Sequence, residues 1–517
     1  MSQKSQKDAA LAVVIICVLI YAYGPLARAQ YAYGDDYWLL LSDEESGAAY
    51  LSDGRPIFAL AHSLIHRPIE AIGRLGYMRL ITSFWVGILS AFFFGLVRRW
   101  GGGRIECLGF AVALGTLPCL HTYVAQANFW LAPLAGAITM WATVLTYEAT
   151  GTSEKSIAHM GRRLVLPFAL YLCTAAIYQP MLAWYWTVAL VFLLDDRYLT
   201  CRDYRRRVHT VIALGLLFLC LYYVVFKLFF VLIFKLFGII AKDRTQLTED
   251  PIWKLYWFLR IQLPLALNLW HLWVPEQRVL TLGIAAAVFA VIVAGHVVAG
   301  RKYLNTSGSS VDSQPIRTRR YLTVLRTLLV IFTGLLTHVH WLVIENVPQS
   351  YRVIAPLGAA VFLTLYWSLR QLSLLISCAK KRELINRNVA GGLALASLVV
   401  CQFQAEKYWV APQTTAYRFM LATIREDLPQ DTTHLHLIRQ GPADGLVADY
   451  LIESFGRPSS ERGWTITAMV QNALKDSGAT NDIQSITSGT AGDPVPEAAG
   501  GVFVIDMRKV ALYRMAD

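Results

Sequence analysis

The sequence predicts a polytopic α-helical membrane protein with a small C-terminal α/β domain, and three observations carry that expectation. Hydrophobic residues make up 56% of the 517 and charged residues 16%, with a mean hydropathy of +0.44. A soluble globular chain carries about 25% charged residues, so this one lacks the polar surface to stay in water. The apolar residues gather in runs of bilayer length, where a helix of roughly 20 residues keeps every backbone group paired across the hydrocarbon core. The basic residues gather in alternate loops between those runs, as expected of loops retained on the cytoplasmic side.

About eleven runs are expected to span, near 9–27, 78–97, 105–120, 128–147, 164–177, 180–195, 209–230, 279–300, 321–341, 353–375 and 389–408. The fifth and sixth are short and adjacent, so they form either a tight hairpin or a pair of re-entrant segments. Arg98, Arg99 and Arg104 occupy the first basic loop, and Lys155, Arg162 and Arg163 the next. Arg197, Arg202, Arg205, Arg206 and Arg207 follow, then Arg301, Lys302, Arg317, Arg319 and Arg320. Lys380, Lys381, Arg382 and Arg387 form the last. This pattern places the N-terminus inside, with segments 28–77, 121–127, 239–278, 342–352 and everything after 409 outside. Ala27-Arg28-Ala29, after the first run, resembles a signal-peptide cleavage site. An uncleaved first helix is favoured, and cleavage leaves the same loop outside.

The net charge of +12 calls for no nucleic-acid partner, because residues 413–517 hold 9 basic and 13 acidic side chains. The excess sits in the membrane part, where basic loops meet anionic lipid. The eight cysteines lie in or beside apolar runs and no CxxC occurs, so neither a disulfide framework nor a metal site is expected.

The chain divides into a membrane body, 1–410, and a soluble domain, 411–517. The second part is expected to hold a helix at 414–426, a strand at 434–438, and helices at 443–455 and 465–475. A surface loop at 478–500 and a closing hairpin of 501–505 with 510–513 complete it. It contains no nucleophile motif and no phosphate-binding glycine loop.

Candidate chemistry begins in the first outer loop, at about 28–77, with Tyr33-Gly34-Asp35-Asp36-Tyr37-Trp38. Two adjacent carboxylates stand near the lipid headgroups, flanked by aromatics. Adjacent carboxylates oppose each other's ionisation, which raises the pKa of one of the pair. Asp53-Gly54-Arg55-Pro56 follows, then an amphipathic stretch from Ile57 to Met78 that can lie in the membrane interface. Such a loop suits sugar transfer from a polyprenyl phosphate. A carboxylate takes the proton of the acceptor hydroxyl, and cations hold the charge growing on the leaving phosphate. A carboxylate pair alone is equally a helix or turn cap.

An outward acidic motif after the first helix of a multi-spanning chain with a long first loop resembles the GT-C superfamily of lipid-sugar-dependent glycosyltransferases. The nearest resemblance is to the O-antigen glucosyltransferases of bacterial serotype conversion. It is carried by Asp35-Asp36 with Tyr37-Trp38, by Gly54-Arg55-Pro56, and by Tyr178-Gln179 at an outer turn. Pro348-Gln349-Ser350-Tyr351-Arg352 and the α/β tail extend it. The resemblance implies an inverting hexosyltransferase in the bacterial inner membrane, with its active site and tail periplasmic. Donor and acceptor would be polyprenyl-phosphate glucose and O-antigen lipopolysaccharide, and a donor synthase and flippase would be partners. Asp36 is then the general base and Asp35 its orienting neighbour or an acceptor-binding group. Tyr37, Trp38, Tyr178 and Gln179 are the sugar and acceptor contacts.

Arg352 and Arg55 are the donor-phosphate candidates, since a guanidinium fork grips two phosphate oxygens. Arg55 alternatively pairs with Asp53, and Gln179 alternatively only closes a turn. Lys227 and Lys235 snorkel to headgroups or meet the phosphate. Trp253, Trp257, Trp270 and Trp273 form an interface belt or stack on sugars. His338 and His340, two apart on a helix, diverge, so no protein-held metal or other cofactor is expected; a divalent ion bridging Asp36 and the phosphate stays open. Two further readings stand beside this one: a lipid A or protein glycosyltransferase of the same fold, and a polysaccharide or lipid transporter. Transporters place ionisable groups in broken central helices, whereas here they gather at the outer ends.

Overall fold

A computed structural model describes residues 3–40, 43–66, 71–151, 157–240, 246–273, 277–305, 315–345, 350–439, 459–490, 492–494 and 501–510. Lys155, Pro348, Gln349, the expected helix at 443–455 and residues 511–513 of the expected hairpin lie outside the described residues. Each of the eleven apolar runs falls in helical structure. Eight helices among the described residues are long and apolar enough to cross a membrane, from Ser5–Ala22 to Ala379–Asp427. The third run is a pair, Arg104–Gly115 and Pro118–Ala125, bent by 56°, and counting it as one span gives nine. The bend follows from Pro118, which holds Leu117 extended (φ −60°, ψ 141°) and starts the second helix where its missing N–H is not needed.

The fifth and sixth runs form one 35-residue apolar stretch, Met160–Leu194. It breaks at Tyr178, whose backbone is extended (φ −160°, ψ 105°), and turns through Gln179–Ala183. Thr174 donates to Ala135 O, while Gly136 abuts Trp184 and Tyr147 stacks on Phe192. The first limb therefore runs antiparallel to helix Ala132–Ala149 and the second runs parallel to it, so the two are a hairpin. The ninth run becomes helix Ile316–Leu336, which carries Arg317, Arg319, Arg320 and Arg326 and is less apolar than the other eight.

Helices approach closely where small residues meet backbone, as is usual inside membranes. A Cβ on Gly109 would stand 2.5 Å from Ala390 O, and one on Gly295 would stand 2.3 Å from Ser368 Cβ.

The last apolar helix runs through a π turn, Glu406–Val410, straight into Ala411–Asp427. Beyond it lies a three-stranded sheet in the order β2-β1-β3, with β1 His434–Ile438, β2 Ser485–Gly489 and β3 Val502–Asp506. Both neighbours pair with β1 in parallel. This corrects the expected closing hairpin: 502–506 lies beside β1, and the chain then turns at Met507–Lys509, where Asp506 accepts from Arg508 N and ends the strand. It also corrects the expected loop at 478–500. The polar Ser485 and Thr487 of β2 hydrogen-bond His434 and His436 across the ladder, at 2.8 and 2.9 Å. The helix expected at 465–475 is Ile466–Ser477.

This sheet and its helices share one apolar core with the loop that follows the first apolar helix. Ala32, Tyr37, Leu40, Leu75 and Met78 pack in the same cluster as Tyr417, Met420, Leu435, Ile466 and Met469. Gly109→Val forces helices Arg104–Gly115 and Ala379–Ala405 apart. It is expected to cost about 1–3 kcal/mol, read as a lower melting temperature and a lower folded yield in detergent. An unchanged melt would show that the contact yields freely.

Candidate functional site

The acidic loop folds as one short turn, Asp36–Leu39, and helical spacing separates its two carboxylates. Residues three and four apart share a face of a turn, whereas adjacent residues point about 100° apart. Asp35, Trp38 and Leu39 line a cavity of about 860 Å³, while Asp36 and Tyr37 are fully buried on the other side. Gly34 sets this phase with a left-handed backbone (φ 55°) immediately before the pair.

Asp36 is enclosed by donors. Asn128 N–H donates to Oδ1 at 2.9 Å, and Tyr33 N–H and Arg79 Nη2 each donate to Oδ2 at 3.2 Å. The side chains of both Arg79 and Asp36 are 0% exposed. Burial pushes the Asp36 carboxyl above its ordinary value, against the pull of Arg79 and of the backbone donors. Arg79 also donates to Ala125 O, Ala29 O and Tyr31 O, and lies 3.6 Å from the Tyr31 ring centroid. Tyr37, expected to meet sugar, instead faces the C-terminal domain, with its ring 6.1 Å from that of Tyr417.

Asp35 takes the opposite position. Its Oδ2 accepts from Asn128 Nδ2 at 3.1 Å, and its carboxylate lines the cavity. Trp38 lines it too and is 39% exposed.

The Gly54-Arg55-Pro56 triplet has a residue-by-residue explanation. Gly54 is left-handed (φ 74°), and a Cβ there would stand 2.3 Å from Phe226. Pro56 begins helix Pro56–His66, which leaves Arg55 directed into the cavity. Arg55 pairs with Asp53 at 3.5 Å, donates to Gln179 Oε1 at 3.4 Å and lies 4.9 Å from the Tyr178 ring centroid. Gln179 Nε2 donates to Asp53 O and Gly54 O, so this amide chiefly clamps the loop to the hairpin turn. Arg352 enters from a 3-10 turn, Tyr351–Ile354. Its Nη1 donates to Gln126 Oε1 at 3.4 Å, with the guanidinium 5.0 Å from the Phe129 ring centroid.

The cavity thus gathers Asp35, Trp38, Arg55, Tyr178, Gln179 and Arg352, and leaves out Asp36 and Tyr37. None of the four tryptophans at 253–273, nor Lys227 or Lys235, is among its lining residues. Tyr50, Asn128 and His340 line it without having been expected. Asn128 was detectable as a polar residue beside a short outer loop, and Arg79 as a lone cation at the start of an apolar span, which demands a partner. Tyr222, Tyr223, Val224 and Phe226, from helix Arg202–Phe237, form an apolar wall. The volume suits a ligand of small-molecule size. Two carboxylates, Asp35 and the Arg55-paired Asp53, and two guanidiniums line the same space, a set that can take a proton from a hydroxyl and hold a phosphate.

The C-terminal domain contributes no lining residue among those described, yet it grips the acidic loop. Gly34 N–H donates to Ser459 Oγ at 3.0 Å, Asn472 Nδ2 donates to Tyr37 O at 3.3 Å, and Arg462 donates to the Tyr33 hydroxyl.

No family model matches this chain, and a search of curated proteins finds no match either.

Removing either member of the buried pair strands the other charge. Arg79→Met is expected to cost roughly 3–5 kcal/mol of stability, while Asp35→Asn leaves the melting temperature near wild type. Adding Asp36→Leu to Arg79→Met restores little, because three backbone carbonyls have also lost their donor. A double variant as stable as wild type would reduce Arg79 to a simple charge partner.

Proposed function

We propose that the chain is an inverting membrane glycosyltransferase of the GT-C type. It moves a hexose, glucose as the first candidate, from a polyprenyl phosphate to O-antigen on the periplasmic face of a bacterial inner membrane. The observation that carries this reading is the single cavity in which Asp35 faces Arg55 and Arg352 beside an apolar helix wall. In this reading Asp35, not Asp36, is the general base. Asp36 has both oxygens occupied and lies away from the cavity, so it positions the turn that presents Asp35.

The acceptor oxygen attacks the anomeric carbon as Asp35 takes its proton. The bond from that carbon to the phosphate oxygen breaks on the opposite side, so the configuration inverts. Arg352 and Arg55 hold the departing phosphate, and their charge matters most in the transition state, where the leaving oxygen becomes anionic. Trp38 and Tyr178 offer aromatic faces to the sugar. Gln179, with its amide hydrogens on backbone carbonyls, holds Arg55 in place.

The test is transfer from radiolabelled polyprenyl-phosphate glucose in membranes carrying wild type, Asp35→Asn or Asp36→Asn. Wild type is expected to label O-antigen, and Asp35→Asn is expected to lose roughly 10²–10⁴-fold of the rate while remaining folded. Full activity in Asp35→Asn with a folded but inactive Asp36→Asn would return the base to Asp36. Label entering lipid A or protein would change the acceptor, and no transfer from any polyprenyl-phosphate sugar by folded wild type would remove the reading.

A further inference from the structure

A second polar cluster lies away from the cavity and centres on Arg326. Trp367, beside it, is 15 residues along from Arg352, about 22 Å at helical rise. The cluster is at the basic end of the helices, beside Asp196 and Tyr198, where Trp100 Nε1 reaches Val191 O.

Arg326 is 1% exposed, although it belongs to a peripheral helix. Its Nε and Nη1 have no hydrogen-bond partner among the described residues. The guanidinium carbon stands 5.1 Å from the Trp367 ring centroid. The His296 ring stands 4.8 Å from that same ring, and its Nε2 is likewise buried without a partner among the described residues. Three nitrogens therefore converge on one indole with unmet hydrogen-bonding capacity.

Charged groups of both signs stand around this cluster. Arg205, Arg319 and Arg326 all act on the hydroxyl of Tyr303, and Arg205 and Arg326 both act on that of Tyr198. Against them stands Asp196, which is exposed and makes no ion pair with Arg326 among the described residues. A guanidinium this deeply buried is costly when its carboxylate partner is exposed and not in contact with it. An anion seated against the unmet nitrogens offsets that cost. Basic sites between membrane helices on the cytoplasmic side hold phosphate headgroups for this reason.

We propose that Arg326, with His296, binds a phosphate-bearing anion between helices Arg278–Asn305, Ile316–Leu336 and Ala355–Ser373. The site is independent of the transfer reaction. Its ligand is either the headgroup of an anionic phospholipid or a free phosphate.

The test uses the full chain in detergent, followed by thermal melts and native mass spectrometry. Phosphatidylglycerol, zwitterionic phosphatidylcholine and inorganic phosphate are added separately. Phosphatidylglycerol is expected to raise the melting temperature and remain as a bound adduct, with phosphatidylcholine doing neither. Stabilisation by inorganic phosphate as well assigns the site to free anions; its absence assigns it to lipid. Arg326→Gln weakens this binding roughly tenfold or more. Arg326→Lys, which keeps the charge and loses the fork, weakens it in a chain that folds. Asp196→Asn separates a ligand site from a plain water-bridged pair. Tighter anion binding in Asp196→Asn supports the site. Loss of stability equal to that of Arg326→Gln, with anion binding unchanged in both, overturns it, as does a wild type that responds to neither anion.

Discussion

The ion pair between Arg79 and Asp36 is the constraint on which the cavity end of the molecule depends. Withdrawing both charges completely from water is costly, and a well-packed apolar pair of the same volume is often no less stable. The value of the pair lies in direction. A guanidinium presents its donors in a fixed fork, and here that fork reaches the carbonyls of Ala29, Tyr31 and Ala125 as well as the carboxylate. One side chain on helix Leu75–Arg98 therefore fixes the exit of the first helix, the acidic turn and the end of helix Pro118–Ala125 relative to one another. Asp36 answers by accepting from the far side, through Asn128 N–H. Once Asp36 is held, the turn has one remaining phase, and that phase places Asp35 and Trp38 in the cavity.

The C-terminal domain holds the same turn from outside. Gln413 Oε1 accepts from both the N–H and the hydroxyl of Ser459, whose oxygen accepts in turn from Gly34. The contact thus passes from the continuation of the last apolar helix to the glycine that sets the phase of the acidic pair. Tyr33 and Tyr37 bracket the turn, and both meet this domain. The tail is in this sense part of the site although it lines none of it. That explains how a domain with no chemical motif can be integral to a membrane protein.

Much of the fold was legible because the constraint behind it is coarse. Hydrocarbon admits only paired backbone and few charges, so run length found the long apolar helices, although eight or nine among the described residues, against eleven expected spans, are long and apolar enough to cross. What could not be read depended on finer geometry. The tail hairpin was expected because two apolar runs stood near each other in sequence. The true partner of β1 on one edge, Ser485–Gly489, is mostly polar and lies in a stretch of loop composition. The site divides in the same way. Arg55 and Arg352, which line the cavity, could be chosen as cations at the ends of apolar runs, without knowledge of their neighbours. The order within Asp35-Asp36 could not, because adjacent residues share every property visible in sequence. The backbone of Tyr33 and Gly34 and two distant residues, Arg79 and Asn128, distinguish them.

The cavity's two kinds of wall limit what it can accommodate. Asp35, Asp53, Arg55 and Arg352 supply charge from the loop side. Helix Arg202–Phe237 supplies Tyr222 and Phe226 inward while exposing Leu221 and Leu228 outward. Tyr223 and Val224 both line the cavity and are exposed, so the apolar wall is open toward the surface where lipid tails would lie. A purely polar ligand would leave that wall without a partner, and a purely apolar one would strip water from two guanidiniums and two carboxylates without replacing it. A ligand with an anionic head and a long apolar tail satisfies both walls at once. Its tail can remain in the bilayer, so little apolar surface moves between water and protein on binding. Affinity then rests on the head, where the arginines are, which places discrimination within reach of Asp35.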